Sequence, residues 1–234
     1  MNFVSVVENL RAVRQRIATA CTDAGRAAED VTLIAVSKTQ PSAAIREAYL
    51  AGQRDFGENY VQELVRKAEE LADLRDLRWH LIGHLQRNKA RLVAARITVL
   101  HTVDSSELAL ELGKRRAASG ETTPLQVLVE VNIGGEAQKH GAQPAELGPL
   151  LSSIEQQAEL SLRGLMCVPP FTEDPAGARP YFERLRQLRD AHGGAARLPE
   201  LSMGMTSDLE HAVAAGATLV RVGTAIFGPR TAKA

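Results

Sequence analysis

Two cysteines, one tryptophan and 4% aromatic residues are all that the 234-residue chain carries of those types, and its 28 Lys+Arg are cancelled by 28 Asp+Glu. Cys21 and Cys167 stand far apart with no CxxC spacing and no Cys/His partner pattern, which excludes a disulfide framework or a cysteine-based zinc site and leaves two inert thiols. With no net charge there is no global field to draw nucleic acid, an acidic membrane or a polyanion, so any anion has to be held by local geometry. Neither nucleic acid nor membrane is therefore an expected partner. No apolar run approaches the roughly 20 residues of a membrane span, and Met1 to Leu10 lacks the basic-then-apolar pattern of a secretory signal, so a cytoplasmic location is the default expectation. Two nucleotide fingerprints are missing as well: no GxGxxG follows the first strand pattern, and GxxxxGK[ST] occurs nowhere.

What is present is ordinary globular composition, 44% hydrophobic and 24% charged, with a regular grammar. From Phe3 to Ala24, Val6, Val7, Leu10, Val13, Ile17 and Ala20 form the stripe of an amphipathic helix that stops near Gly25. Leu33 to Ser37 is a short apolar run of the kind a strand buried on both faces shows, and a helix follows from Ser42 to Ala51, closed by Gly52. Strand patterns recur at Arg54–Phe56, Arg78–Ile82, Thr98–Thr102, Leu125–Asn132, Ser161–Cys167, Glu200–Ser202 and Thr218–Val222, with helical patterns between them. Eight strands alternating with helices predict an all-parallel sheet, and a (β/α)8 TIM barrel typically takes about 250 residues and tolerates about 200. The expectation is an α/β protein, a single (β/α)8 barrel domain spanning 1–234 with an extra N-terminal helix, and a monomer. The stretches Thr172–Pro180 and Ser119–Pro124 read as mobile surface loops.

In such a barrel the site lies at the carboxyl ends of the strands. Lys38 follows the first strand, where partial desolvation would lower its pKa and free a neutral amine for a Schiff base; alone, a lysine there more often snorkels to solvent. Ser202, Met203, Gly204 and Thr206 follow strand seven, Ser207-Asp208-Leu209-Glu210 has capping-box spacing, and Gly223-Thr224 follow strand eight, the place where barrels commonly hold phosphate. A lysine with a phosphate cradle suggests a phosphorylated aldehyde. Arg221 is donor-only at any working pH, so facing a pyridine nitrogen it would keep that nitrogen unprotonated; pairing with a carboxylate is its bland alternative. Asn59 is placed to orient the lysine or a ring substituent, while Trp79, Met166 and Cys167 read as barrel packing. His80 and His84 are spaced H-x-x-x-H, but Gly83 and the strand pattern break the helical geometry zinc would want, so no metal is expected.

The run Trp79 to Lys89 (WHLIGHLQRNK) resembles the signature of the pyridoxal phosphate homeostasis proteins, the YggS/PROSC family. AVSKTQP (Ala35–Pro41), FGENYVQE (Phe56–Glu63), VNIGGEAQKHG (Val131–Gly141), GLMCVPP (Gly164–Pro170), SMGMTSD (Ser202–Asp208) and RVGTAIFGPR (Arg221–Arg230) resemble family blocks in family order, covering nearly the whole chain. The resemblance implies a barrel similar to the alanine racemase N-terminal domain, with pyridoxal 5′-phosphate as an internal aldimine on Lys38. It implies phosphate contacts from Ser202 to Thr206 and from Gly223 and Thr224, and Arg221 at the pyridine nitrogen. Thr206 departs from the serine usual in the family but keeps the hydroxyl. The implied role is non-catalytic: binding the cofactor, buffering its aldehyde and delivering it to apo-enzymes. Separately, Lys139 follows strand five in a Gly-flanked loop (Gly134, Gly135, Gly141) and is a candidate second amine for transfer, a solvated surface lysine being its bland alternative. Racemases of this type add a tyrosine from a second domain; here the sequence ends after the barrel pattern, and Tyr49, Tyr60 and Tyr181 all fall in helical patterns, so a second base is not expected. The rival readings are a racemase or decarboxylase using His84 or Lys139 as that base, and a class I aldolase-type enzyme in which Lys38 acts on a sugar phosphate without cofactor.

Overall fold

The computed structural model describes residues 5–229. Its elements run α1 (Val6–Asp23), β1 (Thr32–Val36), α2 (Ser42–Leu50), β2 (Asp55–Glu58), α3 (Val61–Glu70), β3 (Arg78–Leu81), α4 (Ala90–Val93) and β4 (Val99–Val103). They continue with α5 (Ser106–Ala118), β5 (Leu125–Glu130), α6 (Leu147–Glu155), β6 (Leu160–Met166), α7 (Arg179–Ala191), α8 (Gly194–Arg197), β7 (Glu200–Ser202), α9 (Leu209–Ala214), β8 (Leu219–Val222) and α10 (Thr224–Phe227). Consecutive strands pair in parallel and β1 pairs with β8, so the sheet closes into the expected eight-stranded barrel.

The local reasons are visible in the sequence. Ser5 and Glu8 form a reciprocal capping box at the start of α1, whose buried stripe is Leu10, Val13, Ile17, Ala20 and Cys21. Phe3 and Val4, part of the expected helix, lie outside the described residues. At its end Gly25 takes φ +66, with Arg26 N donating to Cys21 O at 2.8 Å and Gly25 N to Thr22 O at 3.0 Å, the double bond that closes a helix through a left-handed residue. Strand boundaries move by up to two residues; β5 stops at Glu130 because Asn132 N turns to Ala142 O and its Nδ2 donates to Glu136 O. The stretch expected as loop at 172–180 contains a 3-10 turn, Pro175–Ala178, capped by Asp174.

Most of the core lies between sheet and helices, whereas Ile34, Val99, Leu128, Met166 and Leu219 form a separate small cluster. Both cysteines are free and buried. No helix among the described residues is long and apolar enough to cross a membrane.

Candidate functional site

Lys38 is carried by a turn that the rest of the barrel holds in place. Ser37 N continues the ladder to Gly57 O at 2.9 Å, and Gln40 N closes back on Ser37 O at 3.0 Å. Between them Thr39 adopts φ +66, the one positive φ outside glycine among the described residues and a costly conformation for a β-branched side chain. The compensation comes from α3. Lys67, with no exposed surface, spends its ammonium on Ser37 O at 2.7 Å, Glu58 Oε1 at 2.7 Å and Glu63 Oε1 at 2.8 Å. Glu63 Oε1 in turn accepts from Thr39 N at 2.7 Å, and Ser37 Oγ donates to Glu58 Oε1 at 2.7 Å. Both neighbours of Lys38 are thus fixed to one buried ion cluster. Burial pushes the Glu58 carboxyl above its ordinary pKa despite the adjacent Lys67.

A second network occupies the barrel interior. Arg221, 4% exposed, donates from Nη1 to Ser202 Oγ at 2.6 Å and from Nη2 to Cys167 O at 2.9 Å. His101 Nδ1 lies 2.9 Å from Ser202 Oγ, His101 Nε2 lies 2.9 Å from His80 Nδ1, and His80 Nε2 lies 3.0 Å from Asp55 Oδ1. Asp55 also receives Arg78, and these partners overcome its burial to hold its carboxyl down at about 2. Burial, then the nearby His80 and Arg221, drives His101 far below the ordinary imidazole value. The two ends of this run are fixed, because arginine can only donate and carboxylate only accept: Arg221 donates to Ser202 and His80 Nε2 donates to Asp55. Ser202, His101 and His80 thus join Arg221 to Asp55 in one continuous hydrogen-bonded run.

Glu130, half-buried at the end of β5, is a further ionisable group of the site. Burial and the neighbouring Asp104 push it up to about 7, with Arg221 opposing, and its Oε2 is buried without a partner. Asn59 Oδ1 is also buried without a partner. The backbone of Asn59 lies so close to Gly83 that a Cβ on the glycine would stand 2.2 Å from Asn59 O.

Of the phosphate candidates, Ser202 has its hydroxyl engaged by His101 and Arg221, and Met203 is buried in the core with its N–H on Leu219 O at 3.1 Å. Neither offers those donors to the loop after β7. Gly204 (φ +93) and Gly223 bring bare backbone to close quarters, and Thr206 and Thr224 follow on the two loops. The expected capping box at Ser207 does not form: α9 begins at Leu209, Asp208 Oδ1 accepts from Met205 N at 2.6 Å, and Arg16 from α1 takes Glu210 at 2.8 Å. His80 and His84 part company, one inside the barrel and the other exposed beside Asp104. Tyr60 is not inside a helix but is the exposed residue before α3, on the loop leaving β2. Lys139 Nζ pairs with Glu136 at 2.5 Å and donates to Pro169 O at 3.1 Å, beside a groove of about 260 Å³ reaching Phe171 and Met205.

The family profile described as alanine racemase, N-terminal domain matches residues 8–231. The chain is 47% identical to the pyridoxal phosphate homeostasis protein of Pseudomonas aeruginosa, over 97% of this chain and 96% of that one. The chain belongs to the pyridoxal phosphate homeostasis family. Its likeness to the member from Escherichia coli K12 is 46% over 96% of this chain and 97% of that one. PipY of Synechococcus elongatus, solved with pyridoxal phosphate bound, superposes with a TM-score of 0.82 at 41% identity, covering 96% of this chain and all of that one (100%). Alanine racemase from Corynebacterium glutamicum shares the fold alone, at 16% identity, a TM-score of 0.65 and 62% coverage of its chain.

The members of the site that sequence reasoning missed are Lys67, Glu63, His101 and Glu130. His101 had a signal, a histidine inside the apolar run Val99 to Val103. Lys67 had none, since a helix lysine four residues after Glu63 reads as a solvated surface pair.

Proposed function

We propose that this chain binds pyridoxal 5′-phosphate covalently through Lys38 and serves as a buffer and carrier of that cofactor, without turnover of its own. The observation that carries the reading is the Lys38 turn, strained at Thr39 and locked by the buried Lys67 cluster on the same barrel end as Arg221 and the loops after β7 and β8. Two features of the site fit that cofactor. The orphaned buried amide oxygen of Asn59 wants a hydrogen-bonding group, and a buried arginine stands ready for a neutral ring nitrogen.

When bound, the cofactor supplies an aldehyde that condenses with a primary amine and releases water. The protein's own residues do the rest. Lys38 provides the amine, and the Ser37–Glu58–Lys67–Glu63 cluster keeps its backbone from relaxing. Gly204, Thr206, Gly223 and Thr224 would hold the phosphate through backbone N–H groups and hydroxyls, and Asn59 a ring substituent. Arg221, fixed by Ser202 and Cys167 O, would meet the ring nitrogen with N–H groups that cannot accept a proton. The names of the relatives support a homeostatic role, and recipient apo-enzymes would draw the cofactor from the mouth where Lys139 lies.

Borohydride reduction of the yellow protein followed by peptide mapping tests the reading. The reduced adduct is expected on Lys38, and Lys38→Ala is expected to lose the colour while keeping its unfolding transition. A native adduct mainly on another lysine overturns the assignment. Solvent deuterium entering the α-carbon of any amino acid overturns the non-catalytic part.

A further inference from the structure

We propose that His84, Asp104 and His140 form a binding site for a divalent first-row transition cation of the Zn2+ kind, and that its occupation ties the loop after β5 to the ends of β3 and β4. The three residues are outside the set assigned above to the cofactor, and the inference does not rest on that reading. One donor atom from each lies within 4.8 Å of the others. His84 Nδ1 is 3.3 Å from Asp104 Oδ2, and the His84 and His140 rings stack with centroids 3.7 Å apart at 7°.

Donors about 2.1 Å from a tetrahedral zinc stand roughly 3.4 Å from each other. The His84–Asp104 pair is therefore already at the spacing a shared cation needs. The stacked rings have to turn so that their lone pairs converge, and both histidines are exposed and free to do so. Two imidazoles and one carboxylate suit zinc, cobalt or nickel; magnesium and calcium want oxygen throughout. A fourth position is left for water.

The backbone under the ligands is secured in the way metal sites require. Ser105 Oγ donates to Asp104 Oδ1 at 3.1 Å and so presents Oδ2 to His84. Thr102 Oγ1 donates to Gly83 O at 2.9 Å, joining the ends of β3 and β4 beside the first two ligands. Asn132 and Glu136 bond reciprocally within the loop that carries the third, at 2.9 and 3.2 Å. His140 is the one ligand on that loop, next to Lys139, so a bound cation would be a tether across the barrel mouth.

The test uses the full chain after chelator treatment, titrated calorimetrically with ZnCl2, CoCl2 and MgCl2. One equivalent of zinc and of cobalt is expected to bind, with no saturable magnesium. His84→Asn, His140→Asn and Asp104→Asn should each weaken zinc at least tenfold, and His211→Asn on α9 should leave it within twofold. Absence of saturable zinc binding, or affinities in the His84 and His140 variants within twofold of the parent, overturns the site and leaves a stacked histidine pair on a carboxylate. Tryptic cleavage after Lys139 reads the tether. Zinc should slow it several-fold in the parent and not in Asp104→Asn, and an unchanged rate at saturating zinc overturns the tether.

Discussion

Arg221 is a cation without a direct carboxylate contact among its hydrogen bonds, and its charge is spread along Ser202, His101 and His80 to Asp55. Each member satisfies the next, so removing one leaves two buried groups unpaired. Ser202→Ala strips Arg221 Nη1 of an acceptor and His101 Nδ1 of its partner, and unsatisfied buried groups cost about 1–3 kcal/mol each. Urea unfolding is expected to show a loss of roughly 2–4 kcal/mol, non-additive with His101→Asn because both break one chain. Nitrogen NMR of the parent should find a proton on His80 Nε2, the nitrogen that faces Asp55. Glu130 gives the opposite sign. Its carboxyl is pushed up to about 7 against an ordinary 4.5, so the folded state binds this proton more tightly than the unfolded chain does. Its contribution is fully present below about pH 4.5 and is lost as the pH rises through 7. Glu130→Gln should therefore match the parent's pH dependence up to about 4.5 and gain on it above, by about 3 kcal/mol at pH 8. Parallel stability curves for the two proteins between pH 4 and 8 would remove Glu130 from the ionisable groups that matter.

The elements divide by how much of their role lies in their own residues. The apolar run of β1, buried at Leu33, Ile34, Ala35 and Val36, needs no partner to be recognised, and the left-handed glycines after α1 and α2 announce where those helices stop. Lys38 is legible for the same reason, as a polar break at a strand end. What could not be read are pairings made across the barrel. Asp55 and His101 come from β2 and β4 and meet through His80, and Glu210 leaves its expected cap because Arg16, 194 residues earlier, takes it. α3 is the sharpest case: Lys67 occupies a helix position suited to solvent, yet the strand ends above it leave it no exposed surface. Lys67→Met keeps the length of the side chain and removes its charge, leaving Glu58 and Glu63 facing each other. Breaking a buried ion pair from one side costs about 3–5 kcal/mol. The Thr39 turn loses its anchor at the same time. The expected result is a lower unfolding midpoint together with a slower rate of cofactor capture at Lys38, measured by reduction and mapping at early times. A destabilised protein that captures at the parent rate would make Lys67 a folding residue alone.

Across the molecule, α1 stands outside the eight βα repeats and packs on α9 and α10, the helices that follow the two proposed phosphate loops. Two of its side chains, together with Arg26 just beyond its end, bond the backbone of those elements and their loops. Asn9 Nδ2 donates to Ile226 O at 3.0 Å, Arg26 Nη1 to Val213 O at 2.9 Å and Ala217 O at 2.8 Å, and Arg16 Nη2 to Thr206 O at 2.9 Å. Arg16 Nε also bonds Glu210 Oε1 at 2.8 Å, so one guanidinium holds both the loop after β7 and the first turn of α9. These are half-exposed contacts, and as ion pairs they are worth little, about 0–1 kcal/mol. Their weight lies in preorganisation, since a loop ordered before the ligand arrives does not have to be ordered by it. Arg16→Ala is accordingly expected to leave the unfolding midpoint nearly unchanged and to weaken pyridoxal 5′-phosphate several-fold, while the affinity for pyridoxal, which lacks the phosphate, stays within twofold. Equilibrium binding of the two vitamers to parent and variant checks it. An equal loss for both would place the effect of α1 on Lys38 or the ring and not on the phosphate loops.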